Sequence, residues 1–208
     1  MSQTEVQLIK TNAVQTGDIA NSAVTDEKIA GLTSSKLTGA LPAISGANLT
    51  NFPAGGKFES YAIIADQKAT DTAGGSSSTG TFNTRDLNTE LADPDGIVTI
   101  SSNQFTLQAG SYLIRASAPA YKAARHQILI NNVTDSAVAA VGQPEYCGGG
   151  ESVGNRAFAA GRVTITSAKA FDIRHRVGNA ESTYGLGVDA NYDLQPNIYT
   201  IVEIFKEA

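Results

Sequence analysis

Few side chains in this sequence are equipped for chemistry, and nearly all of them lie after Lys57. The single cysteine, Cys147, stands in EYCGGGE between Glu145 and Glu151. Neighbouring carboxylates raise a thiol pKa, so the setting is that of an inert, weakly exposed loop thiol and not of an activated nucleophile. A nucleophile would also need a base, and nothing in the spacing brings His126 or His175 to it. Gly148 to Gly150 are followed by no Lys-Ser/Thr pair and no helix start, so they make a flexible loop and not a phosphate cradle.

His175, in DIRHRV, alternates with Phe171 and Ile173 and reads as a core or interface histidine. Burial beside Arg174 and Arg176 would lower its pKa and make an interface pH-sensitive. Arg174, Arg176 and Arg162 on one outward face would suit an acidic glycan or a phosphate. The plainer reading is a solvated strand face. Asp93 with Asp95 in ADPDG, and Asp189 with Asp193 in GVDANYD, offer the oxygen ligands calcium prefers. Neither follows a calcium-loop pattern, and DPDG is above all a turn sequence. The expectation is no metal, no cofactor and no catalytic residue. Paired carboxylates for glycoside hydrolysis would be recognisable only by their separation in space.

The elements that must position these groups read as strands. GIVTISSNQFTL alternates Val98 and Ile100, then Phe105 and Leu107. GSYLIRASA follows a Gly turn, and HQILINNVTDSAVAAV gives two strands around an Asn-Asn and Thr-Asp corner. RVTITSAKAFDIRHRV alternates through Val163, Ile165, Phe171, Ile173, His175 and Val177. NIYTIVEIFKE is apolar on both faces, which predicts a closing strand buried on both sides. Tyr199 and Phe205 are its candidates for an inner surface shared between subunits, with core as the alternative. No segment carries a helical face of useful length. Strands at these intervals, broken by DPDG, QAGS and GLGVDAN, predict an antiparallel jelly-roll sandwich.

The segment before Lys57 has another composition. Its only aromatic residue is Phe52, whereas all seven Tyr and every Arg lie later. Val14, Ile19, Val24 and Ile29 recur every five residues in AVQTGDIANS and AVTDEKIAGL, continued more loosely by Leu32, Leu37, Leu41, Ile44 and Leu49. A period of five fits neither a helix nor a plain strand, so each repeat must bend. Three readings remain: a trimeric stalk with an aliphatic column built from Val14, Ile19, Val24, Ile29, Leu37 and Leu49; a short β-solenoid; or an irregular tether. The predicted organisation is an attachment segment over 1–12, a repeat stalk over 13–56 (trimeric, β-structured or extended) and a sandwich head over 57–208.

Composition excludes several function classes. A formal net charge of −5 argues against binding nucleic acid through its phosphates. No apolar run approaches the roughly 20 residues of a membrane helix, so membrane insertion is not expected. MSQTEVQLIK has neither the basic start nor the apolar core of a signal peptide, which suggests synthesis in a cytoplasm.

GDIANSAVTDEKIAGLTSSKLTGALPAISGANLTNFP resembles the shaft repeats of bacteriophage tail-fibre proteins. The stretch from FNTRDLN to AVAAVG resembles a distal domain of phage fibres. FTLQAGSYLIRASA and the closing IYTIVEIFK are similar to the C1q and tumour-necrosis-factor jelly-roll class. The resemblance implies a homotrimer exposed on a virion, joined to other virion proteins through its N-terminus. It also implies adsorption to a host-surface glycan or outer-membrane component. The short shaft admits an alternative, a capsid or neck decoration protein that stabilises the particle. Polysaccharide-cutting fibres of this kind are much longer, so no enzyme is expected. Receptor contact would use aromatic and polar side chains on the loops 73–80, 143–155 and 178–191, with Tyr146, Arg156, Tyr184 and Asn191 as candidates.

Overall fold

The computed structural model describes residues 57–192 and 195–208. The chain divides into two units, Met1–Asn51 and Phe52–Ala208, and every described residue belongs to the second. The stalk positions Val14, Ile19, Val24, Ile29, Leu37 and Leu49 lie outside the described residues, as does Asp193.

The described residues form strands and turns only: β1 (Phe58–Lys68), β2 (Asn83–Thr84), β3 (Thr89–Ala92), β4 (Val98–Ser101), β5 (Gln104–Leu107) and β6 (Gly110–Tyr121). They continue as β7 (Ala124–Asn132), β8 (Ala137–Val141), β9 (Glu145–Cys147), β10 (Gly154–Ile165), β11 (Lys169–Val177) and β12 (Asn197–Glu207). They make a five-stranded sheet in the order β10-β6-β12-β1-β3 and a seven-stranded sheet built on β4-β5-β11-β7-β8. Within the seven-stranded sheet β2 pairs with β11, and β9 with β7. All named strand pairs are antiparallel. The chain passes repeatedly between the sheets and ends with β12 between β1 and β6, the jelly-roll arrangement of a sandwich.

Local chemistry explains the corners. Ser102 and Asn103 both take positive φ, 52° and 63°, so the β4–β5 connection twists with its strands as a two-residue hairpin should. In the DPDG turn, both Asp93 carboxylate oxygens accept backbone N–H groups, from Ile97 at 2.9 Å and Val98 at 2.9 Å. Asp95 accepts from the Ser60 hydroxyl. These carboxylates serve the turn and its anchorage to β1.

Strand alternation sends one set of side chains inward. From β6 these are Tyr112, Ile114, Ala116, Ala118 and Ala120; from β11 they are Phe171, Ile173, His175 and Val177. Phe105 and Phe171 stack at the centre of the apolar cluster, with ring centroids 5.5 Å apart. Each fully buried Ile, Leu or Phe contributes roughly 1.5–3 kcal/mol. The closing strand departs from expectation. Thr200, Val202 and Ile204 are buried, but Ile198 is exposed and Ile201 and Phe205 are only half-buried. A single chain covers one face of β12 and leaves the other partly bare.

Candidate functional site

The three loops singled out in the sequence meet at one end of the sandwich. The segments 73–80 and 178–191 are stitched together by backbone bonds: Gly74 N–H to Gly187 O at 2.9 Å, Leu186 N–H to Gly75 O at 2.9 Å, and Ser77 N–H to Glu181 O at 2.8 Å. The β6–β7 corner joins them, with Tyr121 N–H donating to Gly185 O and Gly178 N–H to Ala123 O. The same corner receives the third loop, through Lys122 N–H to Val153 O and Ala124 N–H to Gly148 O. Lys122 and Ala124 both hold φ of 54°, a conformation that costs roughly 1–3 kcal/mol and is held only when the surroundings over-determine it. Gly187, at φ 138°, lies so close to the Tyr199 ring and Pro119 that no side chain fits.

Beneath this end lies a buried polar layer that the periodicities do not reveal. Arg85 is completely buried. Its Nε donates to Thr200 Oγ1 at 2.8 Å, Nη2 to Leu186 O at 2.7 Å and Nη1 to Pro119 O at 3.3 Å, so one guanidinium ties the 178–191 loop to β6 and β12. Burial holds its pKa down, to about 10, against the favourable fields of Asp66 and Asp86. Asp66 is buried on β1, 3.2 Å from Lys68 Nζ but without a well-aligned hydrogen bond. Burial raises its pKa, and Lys68 and Arg85 oppose the rise.

Two histidines continue the layer. His126 Nδ1 lies 2.9 Å from His175 Nε2, and His126 Nε2 lies 2.7 Å from Asn155 Oδ1. The Asn155 amide is oriented by donating to Glu145 Oε2 and Tyr146 O. Its oxygen therefore accepts from His126 Nε2–H, and His126 Nδ1 accepts from His175 Nε2–H. That leaves His175 Nδ1 as a buried lone pair with no donor. Burial first, then the positive fields of Arg85 and His126, push the His175 pKa down to about 2, and burial lowers His126 as well. His175 does share its face with Phe171 and Ile173, but it lies in the core of the chain.

The candidate contact residues fall on two sides of this end. Tyr184 packs edge-on against Tyr121 at 6.3 Å, beside an open cleft of about 400 Å³ lined by Pro119, Tyr121, Asn155, Arg156 and Val188. Arg156 lines that cleft but is mainly a strap, its Nη2 donating to Tyr199 O at 2.6 Å and Ser117 Oγ at 2.9 Å. Asn191 is exposed at the end of the same loop, with φ 50°. Tyr146 stands apart on β9, 63% exposed and opposite Arg125 on the outward face of the seven-stranded sheet.

Several expectations are revised here. Tyr199 is buried, its hydroxyl donating to Thr72 O at 2.6 Å, so it anchors a loop and offers no surface to a neighbour. Phe205 does face outward, beside Phe58 at 5.3 Å. Arg162 lies on β10, in the other sheet from Arg174 and Arg176, and bonds Glu207; the three share no face. Cys147 is buried at the end of β9, and burial, not the nearby acids, raises its pKa.

The bare side of β12 belongs to a second surface. Register places Leu113, Phe205 and Tyr61 side by side across β6, β12 and β1. Arg115, Glu203 and Ile63 form the next row, then Phe158, Ser117 and Ile201 across β10, β6 and β12. Phe58, Tyr61 and Phe158 are 42%, 44% and 50% exposed. The charges within this face are already paired, Arg115 with Glu203 and Arg162 with Glu207. Clustered exposed aromatics around neutralised charge are the marks of an interaction surface.

No family model and no curated protein matches the chain. Among solved structures, it is similar to the globular domain of zebrafish complement 1qA protein, with 13% identity, 70% of this chain, 95% of that chain and a TM-score of 0.43. It is also similar to murine APRIL at pH 5.0, with 7% identity, 71% of this chain, 98% of that chain and a TM-score of 0.45. The structure of murine APRIL at pH 8.0 gives 8% identity, 70% and 98% coverage and a TM-score of 0.43.

Proposed function

We propose that this protein is a homotrimeric virion fibre subunit whose head adsorbs to the host cell surface. The observation that carries the trimer is the outward face of the five-stranded sheet, where Leu113, Phe205, Tyr61, Phe58, Ile201 and Phe158 lie around internally paired charges. Its occupant is a second copy of the chain. Apolar and with its charges already paired, this face offers a charged partner no free counter-charge, whereas another copy of itself would cover it with like apolar surface. The phage-fibre resemblance of the repeats supports the virion location and attachment to other virion proteins through the N-terminus. The head acts by binding and not by bond cleavage: its loop end offers Tyr184, Tyr121 and Tyr146 for stacking on sugar rings, with three copies reinforcing one another by avidity.

Mass photometry of the full-length chain at micromolar concentration is expected to give a trimer. Tyr61→Glu with Phe205→Glu should shift it to monomer, since like charges would meet in a desolvated face. A wild-type monomer overturns the trimer. For the function, purified protein should compete with particles for adsorption to host cells. Unchanged adsorption together with a loss of particle stability in its absence would favour decoration of the capsid or neck.

A further inference from the structure

The sequence carries seven arginines, all among the described residues. Five are engaged. Arg85 and Arg156 are bonded internally, Arg115 pairs with Glu203, Arg162 with Glu207 and Arg174 with Asp172. Arg125 and Arg176 alone form neither an ion pair nor a side-chain hydrogen bond among the described residues. They are also neighbours. Register sets Arg176 opposite Gln127, so Arg125 projects from the same outward face two residues away, and both line one small cleft of about 260 Å³ with Gln127, Pro144 and Gly178. Two uncompensated guanidinium groups side by side repel each other. In a chain of net charge −5 that is a local excess awaiting an anion.

Two aromatic side chains flank the two arginines. The Phe82 ring lies under the Arg176 guanidinium, 5.6 Å from its centroid, and holds that fork against the sheet. Tyr146 stands directly opposite Arg125 and is 63% exposed. Gln127 is fixed by donating to Gly142 O at 2.7 Å, which keeps the floor in place. The cleft is smaller than the roughly 300–1,000 Å³ pockets that enclose drug-sized ligands. It suits one unit of a longer chain whose remainder runs over the open sheet.

We propose that this cleft binds a saccharide unit carrying an oxyanion, a carboxylate or a phosphate, with Arg125 and Arg176 on the anion and the Tyr146 face on the sugar ring. Planar forks match both oxyanions in bidentate fashion. The inference rests on the adhesive reading of the head and names the chemistry it would recognise. It also separates Tyr146 from Tyr184, which lies with Tyr121 on the other side.

The test is a titration of the full-length protein, by calorimetry and by NMR of the arginine Nε–H groups and the tyrosine rings. The probes are a glucuronate-containing oligosaccharide, a mannose-6-phosphate oligosaccharide and a neutral maltooligosaccharide of equal length. Binding of either acidic probe, weakening with added salt and shifting the Arg125 and Arg176 signals, is the expected result; which of them binds distinguishes carboxylate from phosphate. Arg125→Gln and Arg176→Gln should each weaken binding about tenfold, whereas Lys169→Gln, an equal loss of charge at the far end of β11, should leave it unchanged. Equal binding of the neutral probe, no binding of any probe, or shifts confined to Tyr121 and Tyr184 would each overturn the proposal. A cleft that binds acidic sugar while the double arginine variant still blocks host adsorption would keep the site and refute its part in adsorption.

Discussion

The two ends of the sandwich interior are built on opposite principles. At one end Phe105, Phe171, Leu107, Ile130, Tyr112 and Ile204 fill the space between sheets with apolar volume. At the other, the same strands place Ala118, Ala120 and Ala157 inward, and the room they leave is taken by Arg85, His126, His175 and Thr200. The apolar end needs only shape and area. The polar end depends on placed donors and acceptors, because an unpaired buried polar group costs roughly 1–3 kcal/mol, and only the Asp66 carboxylate and His175 Nδ1 are left over among the described residues. The loops with the candidate contact residues sit over the polar end, where directional bonds fix their backbone. The difference teaches that one end holds the fold together and the other holds its surface in one conformation.

Phe171→Ala breaks the first half of that comparison and should have the largest effect. It removes one ring of the central stack and leaves a cavity, for a loss of about 4 kcal/mol in denaturant unfolding. Hydrogen-exchange protection should fall across both sheets.

Arg85→Met tests the second half. It leaves Leu186 O, Pro119 O and Thr200 Oγ1 without their donor and Asp66 with Lys68 alone as its nearby cation, at a cost of about 3 kcal/mol. The loss should be uneven: amide protection falls first over 184–187, while the protection of β5 and β11 around Phe105 and Phe171 changes least. Uniform loss would mean that the two ends are one cooperative unit with no division of labour.

Acid sharpens the contrast further. His175 has a folded pKa of about 2 against an ordinary value near 6.5, so the unfolded chain binds its proton first. Its contribution is complete above the ordinary value and is lost progressively as pH falls below it. Between pH 6.5 and 4.5 the head should lose about 2 kcal/mol from this residue. Thermal melts of wild type and His175→Gln should converge as pH falls through that window, since glutamine carries no titrating group. A parallel pH dependence in the variant would move the effect to other groups.

Much of the strand inventory is legible in the sequence because period-two alternation is a local property. Val98 to Leu107, the β7–β8 hairpin and β11 all follow from it, while β12 reads as apolar on both faces. β1 shows no clean alternation, since Ile64, Ala65 and Asp66 are buried in succession beside a register shift. β2, β3 and β9 are too short to carry a period. Arg85 lies just beyond the two-residue β2, where nothing in FNTRDLN distinguishes a buried arginine from a solvated one. The loop end was visible only as three unpatterned stretches. Their meeting place, the His126–His175 contact and the separation of Tyr146 from Tyr184 depend on pairings between residues far apart in the chain.

The sequence by itself determined the change of composition before Lys57, the all-β character of the head and the inward set on β4, β5 and β11. These follow from side-chain type and spacing along a single strand. Tertiary structure alone decided which arginines were left without partners, which tyrosine was buried and which face of β12 stayed bare. Each of those is a balance of burial and charge between elements. The nearest partner of Arg162 is Glu207, 45 residues away, and no local pattern specifies such a contact.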